Sequence, residues 1–198
     1  MGECVYMKIP FVTTHHKTHI AQLWRLPDCG RPYTKELIFQ IVRDALEAGK
    51  FPEGTKLNFS VPACGTELLL AVREAKRAGL PIGTVIAASN ENRTLTDFLR
   101  SGVYEPDASP KKTGVPLLDC GVFPGIERIA AIPEEERRET FSAYAIPERR
   151  SRNMREKVEE SFGIRLPLST AAAYVALQDH RCVTADGLYA IVLELEAE

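Results

Sequence analysis

Apolar residues recur at helical spacing at Leu37, Ile38, Ile41, Val42, Ala45 and Leu46, with Arg43, Asp44 and Glu47 between them. That period predicts an amphipathic helix, capped at its start by Thr34 and ended by Gly49. Pro52-Glu53-Gly54 reads as a turn into a strand over 56–61, Leu57-Asn58-Phe59-Ser60-Val61. A second helix over 66–78 turns Leu68, Leu69, Ala71, Val72 and Ala75 inward and Arg73, Glu74, Lys76 and Arg77 outward, with Gly79 at the position that ends it. The run Val85-Ile86-Ala87-Ala88 is apolar without alternation, as in a parallel strand covered on both faces. Strand, helix and strand with a short return imply a right-handed βαβ unit.

Further along, 94–100 reads as a helix stopped by Ser101-Gly102, and 105–115, rich in Pro, Ser, Lys and Gly, reads as an exposed loop. Two helices are expected over 123–132 and 133–144. The second has Pro133 in its first turn and Glu134-Glu135-Glu136 where the helix dipole favours carboxylates. A charged exposed helix over 149–162, an Ala-rich packed helix over 168–178 and a closing strand over 188–195 complete the reading. Residues 1–32 are expected to be an irregular N-terminal segment, although 4–9 has a strand-like pattern. Residues 33–198 form one α/β domain, a short and mostly parallel sheet flanked by helices.

Composition narrows the class. A chain of 198 residues, 44% hydrophobic and 26% charged with a formal net charge of −2, is globular and neither disordered nor polybasic. Basic and acidic residues are interleaved, so neither nucleic acid nor an anionic membrane is expected as partner. No apolar run approaches the roughly 18–20 residues of a membrane span. The first residues, Met1-Gly2-Glu3-Cys4, lack a basic stretch followed by an apolar one, and the five cysteines show no Cys-x-x-Cys spacing. Reduced thiols in a cytoplasmic protein are the expectation.

Candidate chemistry gathers at two places. The turn Ala63-Cys64-Gly65-Thr66-Glu67 joins a strand to a helix, where α/β proteins bind anions at a helix N-terminus. Thr66 followed by Glu67 also reads as an N-cap with a first-turn carboxylate. A helix N-terminus can lower the pKa of a thiol such as Cys64, but with no histidine or lysine positioned beside it a packing role is favoured. Asn90-Glu91-Asn92 stands at the carboxyl end of a parallel strand, as pocket lining or as turn and cap chemistry. His15 and His19 have the i, i+4 spacing of metal ligands on one helical face, with His16 between them. The His-Glu-x-x-His pattern is absent, so no metal is expected.

The order Val61-Pro62, small-residue turn, helix, Gly79-Leu80-Pro81-Ile82, strand, Asn90-Glu91-Asn92 resembles the threonine synthase family, pyridoxal-phosphate enzymes of fold type II. Similar segments follow at Leu95-Thr96-Asp97-Phe98-Leu99-Arg100-Ser101-Gly102-Val103-Tyr104 and Thr113-Gly114-Val115-Pro116-Leu117-Leu118-Asp119. Gly125-Ile126-Glu127-Arg128, Ser169-Thr170-Ala171-Ala172-Ala173-Tyr174 and Val183-Thr184-Ala185 continue the likeness. The resemblance implies part of the fold type II large domain and pyridoxal phosphate as cofactor. It places cofactor binding at Cys64, Gly65, Thr66, Glu67 and Thr184, and a cleft at Asn90, Glu91 and Asn92. The family holds its cofactor through the lysine of a Phe-Lys-Asp motif, and no lysine of this chain stands in one. Where the family's loop has its second glycine this chain has Glu67, a repulsion on the order of 1–4 kcal/mol toward a phosphate at close range. The expectation is a threonine synthase-like chain, catalytically incomplete, with a residual cleft for a phosphate or an amino-acid derivative. The alternatives are a pyridoxal-phosphate-dependent lyase of threonine synthase type, acting on a phosphohomoserine-like substrate and completed by a partner chain, and a non-catalytic interaction module; the expected protein partner is a second copy in a homo-oligomer or a complementing chain.

Overall fold

A computed structural model of the chain describes residues 8–13, 19–26, 34–47, 54–183 and 189–195. Its elements are β1 (Lys8–Thr13), β2 (His19–Leu26), α1 (Lys35–Glu47), β3 (Leu57–Pro62), α2 (Glu67–Arg77), β4 (Ile82–Ser89), α3 (Thr94–Ser101), α4 (Ile126–Ala130), α5 (Glu134–Thr140), β5 (Phe141–Ala145), α6 (Glu148–Phe162), α7 (Leu168–Val183) and β6 (Tyr189–Leu195). The strands form one sheet in the order β1-β2-β6-β3-β4-β5. Every pairing is parallel except β1 with β2.

Alternation along the strands divides two layers. Phe59, Val61, Val85, Ala87, Phe141, Ala143 and Ile191 face a core shared with Ile38, Ile41 and Val42 of α1, Leu69 and Val72 of α2, and Phe98 of α3. Their neighbours Ile86, Ala88, Ala190 and Val192 face the other way, onto Met154 and Val158 of α6 and the small residues Ala172, Ala173 and Ala176 of α7. The period of two sends consecutive side chains to opposite faces, which is why these strands read as unbroken apolar runs. Ser60, on the α7 face, donates its hydroxyl to Ala173 O at 2.6 Å, which satisfies this buried side chain.

Several boundaries follow the sequence closely. Leu37 N–H donates to Thr34 Oγ1 at 3.4 Å, the expected cap of α1. Gly79 (φ +96°) follows α2, and Gly102 (φ +80°) stops α3 in the left-handed region that glycine tolerates. The stretch 105–114 has no helix or strand and is largely exposed.

Other segments differ. The helix expected over 133–144 ends at Thr140, and Phe141-Ser142-Ala143-Tyr144-Ala145 is a strand paired with β4 from Val85↔Phe141 to Ser89↔Ala145. Its alternation of apolar and polar positions, with aromatics at Phe141 and Tyr144, suits a half-covered edge strand. The helix expected over 123–132 is confined to α4, because Gly125 takes φ +78° at its start. Residues 1–32, expected to be irregular, contribute β1 and β2 to the sheet. The closing strand is in fact interior: β6 lies between β2 and β3. Among the described residues no helix is long and apolar enough to cross a membrane.

Candidate functional site

The turn after β3 is fastened from three sides. Ala63 N–H donates to Ala88 O of β4 at 2.8 Å, which sets β3 and β4 level where the turn begins. Thr66 has helical dihedrals (φ −86°, ψ −23°) and its side chain does not cap α2. Its buried hydroxyl instead donates to Pro124 O at 2.8 Å. The expected N-cap is therefore corrected: the hydroxyl is drawn across to the segment before α4, where a neighbouring carbonyl needs a donor. Glu67 Oε1 accepts from Arg128 Nη1 of α4 at 2.8 Å, both side chains being about half exposed (47% and 55%).

Gly125 permits this approach. A Cβ there would stand 2.9 Å from Thr66 Oγ1 and 3.7 Å from Glu67 Oε1, and φ +78° already disfavours a side chain. The same segment is anchored behind by Phe123 N–H, which donates to Tyr104 OH at 2.9 Å, and Tyr104 meets Phe98 edge to face. Over Gly65 the situation is opposite, since an added Cβ would meet nothing within 4 Å. The turn is thus closed on its α4 side and open above Gly65. Beside it a cleft of about 250 Å³ is lined by Lys35, Glu67, Leu70, Ala71, Glu74 and Arg128.

Cys64 packs against both core layers. Burial, and then the neighbouring Cys120, push its thiol up to about 11, the reverse of activation at a helix N-terminus. The packing role is the one its surroundings support. Cys120 Sγ lies 3.9 Å from Cys64 O and 3.9 Å from Leu117 O.

Asn90 and Asn92 are buried and their amides are committed to an internal knot. Asn90 Nδ2 donates to Asp119 Oδ1 (2.6 Å) and Thr113 Oγ1 (3.0 Å). Asn90 Oδ1 accepts from Asn92 N–H (2.9 Å) and Asn92 Nδ2 (3.0 Å). Asn92 Nδ2 also reaches Lys111 O at 2.9 Å, and Asn92 Oδ1 accepts from Lys111 N–H at 2.7 Å. Burial alone would raise the Asp119 carboxyl, but Thr113 N–H, the Thr113 hydroxyl and Asn90 Nδ2 outweigh it and hold the carboxyl below its ordinary value. Glu91 is exposed and accepts from Glu148 N–H at 3.1 Å, at the start of α6. These hydrogen bonds brace loop 111–119 against the end of β4. The sequence pattern marks the three residues; it does not disclose Asp119 as the hub, whose only signal is its place in the Thr113–Asp119 segment.

Thr184, His15 and His16 lie outside the described residues, and His19 opens β2. Among the described residues no three of His, Cys, Asp or Glu gather as they would around a metal ion.

The site suits one half of the implied cofactor. A phosphate fits the donor set, with the first-turn N–H groups of α2 and the cations Arg128 and Lys35 beside the opening at Gly65. For the carbonyl half the chain has no lysine in a Phe-Lys-Asp motif, and among the described residues the lysine whose pKa is lowered, by desolvation first and then by Lys56, is Lys76, whose Nζ donates to Gly83 O at 2.7 Å. It stands nine residues along α2 from Glu67, about 14 Å at 1.5 Å per residue, at the far end of the helix.

No family model matches the chain. Threonine synthase from Eremothecium gossypii is 39% identical over 74 residues, 37% of this chain and 14% of that relative. Threonine synthase-like 1 from Macaca fascicularis is 37% identical over 86 residues, 43% of this chain and 12% of the relative. The chain accordingly spans about a seventh of the length of the curated relatives it matches. Among solved structures, a pyridoxal-phosphate-bound threonine synthase from Brucella melitensis superposes with TM-score 0.65 and 25% identity, covering 76% of this chain and 37% of that one. Threonine synthase from yeast superposes with TM-score 0.69 and 20% identity over 81% of this chain and 39% of the other, a likeness of fold. Over the span that matches, the chain is similar in sequence to the threonine synthases, and its fold resembles part of that of the type II pyridoxal-phosphate enzymes.

Proposed function

We propose that this threonine synthase-like chain binds a small phosphate-bearing ligand at the β3–α2 turn and does not by itself carry a pyridoxal-phosphate reaction. The observation that carries the reading is the Glu67–Arg128 pair beside the open position at Gly65. Glu67 is the residue that should repel a phosphate, and its carboxylate is already engaged by a guanidinium. A half-exposed pair of this kind contributes only about 0–1 kcal/mol. A phosphate offers the Arg128 guanidinium a bidentate, doubly charged partner, and an Arg128 that bridges Glu67 and phosphate offsets the repulsion between them. Lys35, exposed at the rim of the cleft, adds a second cation. Against this, the chain offers no Phe-Lys-Asp lysine, and Lys76 is directed away from the turn.

The test compares inorganic phosphate with pyridoxal phosphate. Both are expected to raise the melting temperature, and Arg128→Ala is expected to weaken the response to both. Reduction with borohydride followed by peptide mass mapping is expected to leave no stoichiometric adduct on any one lysine. A single modified lysine, with visible aldimine absorbance before reduction, would instead make the chain a cofactor-holding enzyme. A melting temperature indifferent to both compounds would remove the anion site.

A further inference from the structure

Cys64 and Cys120 come from segments far apart in the sequence and meet beside the turn. Cys120 Sγ lies 3.9 Å from the carbonyl oxygen of Cys64. Both side chains pack on the same core layer, with Ile126 and Leu117 as neighbours in it. Both are free thiols of intermediate exposure. Each belongs to a segment short of regular structure: Cys64 precedes α2, and Cys120 follows the single 3-10 turn Pro116–Leu118. A disulfide requires two Cβ atoms roughly 3.8 Å apart, and neither cysteine is held inside a helix or strand.

We infer that Cys64 and Cys120 are a paired-thiol modification site, closing to an intrachain disulfide that staples the β3–α2 turn to the loop following Asp119. The oxidant is a small-molecule disulfide. One cysteine thiolate attacks a sulfur of that disulfide, releasing one small thiol and leaving a mixed disulfide on the chain. The second cysteine, as thiolate, attacks the chain sulfur and releases the other small thiol. Two S–H bonds are lost, one S–S bond joins the two cysteines, and the two electrons they give up reduce the oxidant to two thiols.

The link has a place in the architecture. One end is the residue before Gly65, at the opening of the turn. The other adjoins Asp119, which anchors the Asn90–Asn92 knot. A closed disulfide therefore couples the two halves of the site and fixes the turn's distance from the knot. Burial raises both thiols, so closure is slow at neutral pH and accelerates as the solution becomes more alkaline.

The test incubates the folded chain with oxidised glutathione across a pH series and follows intact mass and non-reduced peptide maps. The expected product has lost two hydrogens and yields one crosslinked peptide joining Cys64 to Cys120, at a rate rising with pH. Cys120→Ser is expected to stop at glutathione bound to Cys64, with no internal link. The linked chain is expected to melt at a higher temperature than the reduced one, and dithiothreitol to reverse the shift. Glutathione retained separately on Cys64 and Cys120, a link to another cysteine, or thiols inert while the fully denatured chain reacts would each overturn the inference. Because phosphate plays no part in these readouts, failure here leaves the anion site standing, and the reverse holds as well.

Discussion

Asp119 is where four hydrogen bonds converge: Asn90 Nδ2, Asn92 Nδ2 and the Thr113 hydroxyl meet Oδ1, and Thr113 N–H meets Oδ2. Only an ionised carboxylate accepts all four. Asp119→Asn puts an amide where Oδ1 or Oδ2 was, so at least one donor faces another donor. The expected loss is about 1–3 kcal/mol, read as a lower urea midpoint near neutral pH. The sign of the pH dependence follows from the shift. The folded value is depressed, so the stabilisation is complete above the ordinary unfolded value of about 3.9 and is lost as pH falls through the folded one. The gap between the original chain and Asp119→Asn is therefore expected to narrow below about pH 4. A gap unchanged down to strong acid would mean that the carboxylate charge is not what holds the knot.

At the scale of elements, what was legible was what local chemistry decides. Thr34, Gly79 and Gly102 mark helix ends through their own backbone preferences, and β3, α2 and β4 declare themselves by period. The strand β5 was hidden because Phe141 follows a charged helix without a break. Its strand character comes from pairing with β4, a contact 56 residues away in the chain between Val85 and Phe141. Thr66 departs from its N-cap pattern for a similar reason: its partner is Pro124, and such a pattern says nothing about a carbonyl from another segment. Asn90 and Asn92 stood out as unusual, yet their role depends on Asp119 and Lys111, which no spacing rule connects to them. Gly125 carries a direct test of the cross-segment tie. Gly125→Ala meets both a left-handed backbone and Thr66 Oγ1 at 2.9 Å. The backbone term alone is roughly 1–2 kcal/mol. A fall of about 2 kcal/mol or more in unfolding free energy is expected, because the Thr66 contact must loosen as well. A second readout is the phosphate response, which should weaken as the turn shifts. A neutral substitution would show that the segment before α4 accommodates a side chain and does not hold the turn.

Across the whole molecule the sheet depends on a strand from near the end of the sequence. β6 separates β2 from β3, and among the described residues β1 and β2 pair with no strand but each other and β6. Bringing residue 20 beside residue 189 closes a loop of roughly 170 residues, an entropy cost of about 4–5 kcal/mol. Ala190, Ile191 and Val192 are buried and supply apolar contacts on both faces. A buried Ile or Val contributes about 1.5–3 kcal/mol, so these side chains only just offset the closure. The margin makes the strand sensitive to a single charge. Ile191→Asp places an unpaired carboxylate in the core formed with α1 and α2, where a carboxyl without a partner costs several kcal/mol or takes up a proton. The expected outcome is loss of the cooperative thermal transition followed by circular dichroism at neutral pH, with partial recovery as acid neutralises the new side chain. Ile191→Val, which keeps the shape and removes one methylene, is expected to cost only about 0.5–1.5 kcal/mol and to retain a single transition. If Ile191→Asp melted cooperatively at the original temperature, β6 would not be the strand that joins the two halves of the sheet, and the position of the β3–α2 turn would have to be maintained by α2 and α7 alone.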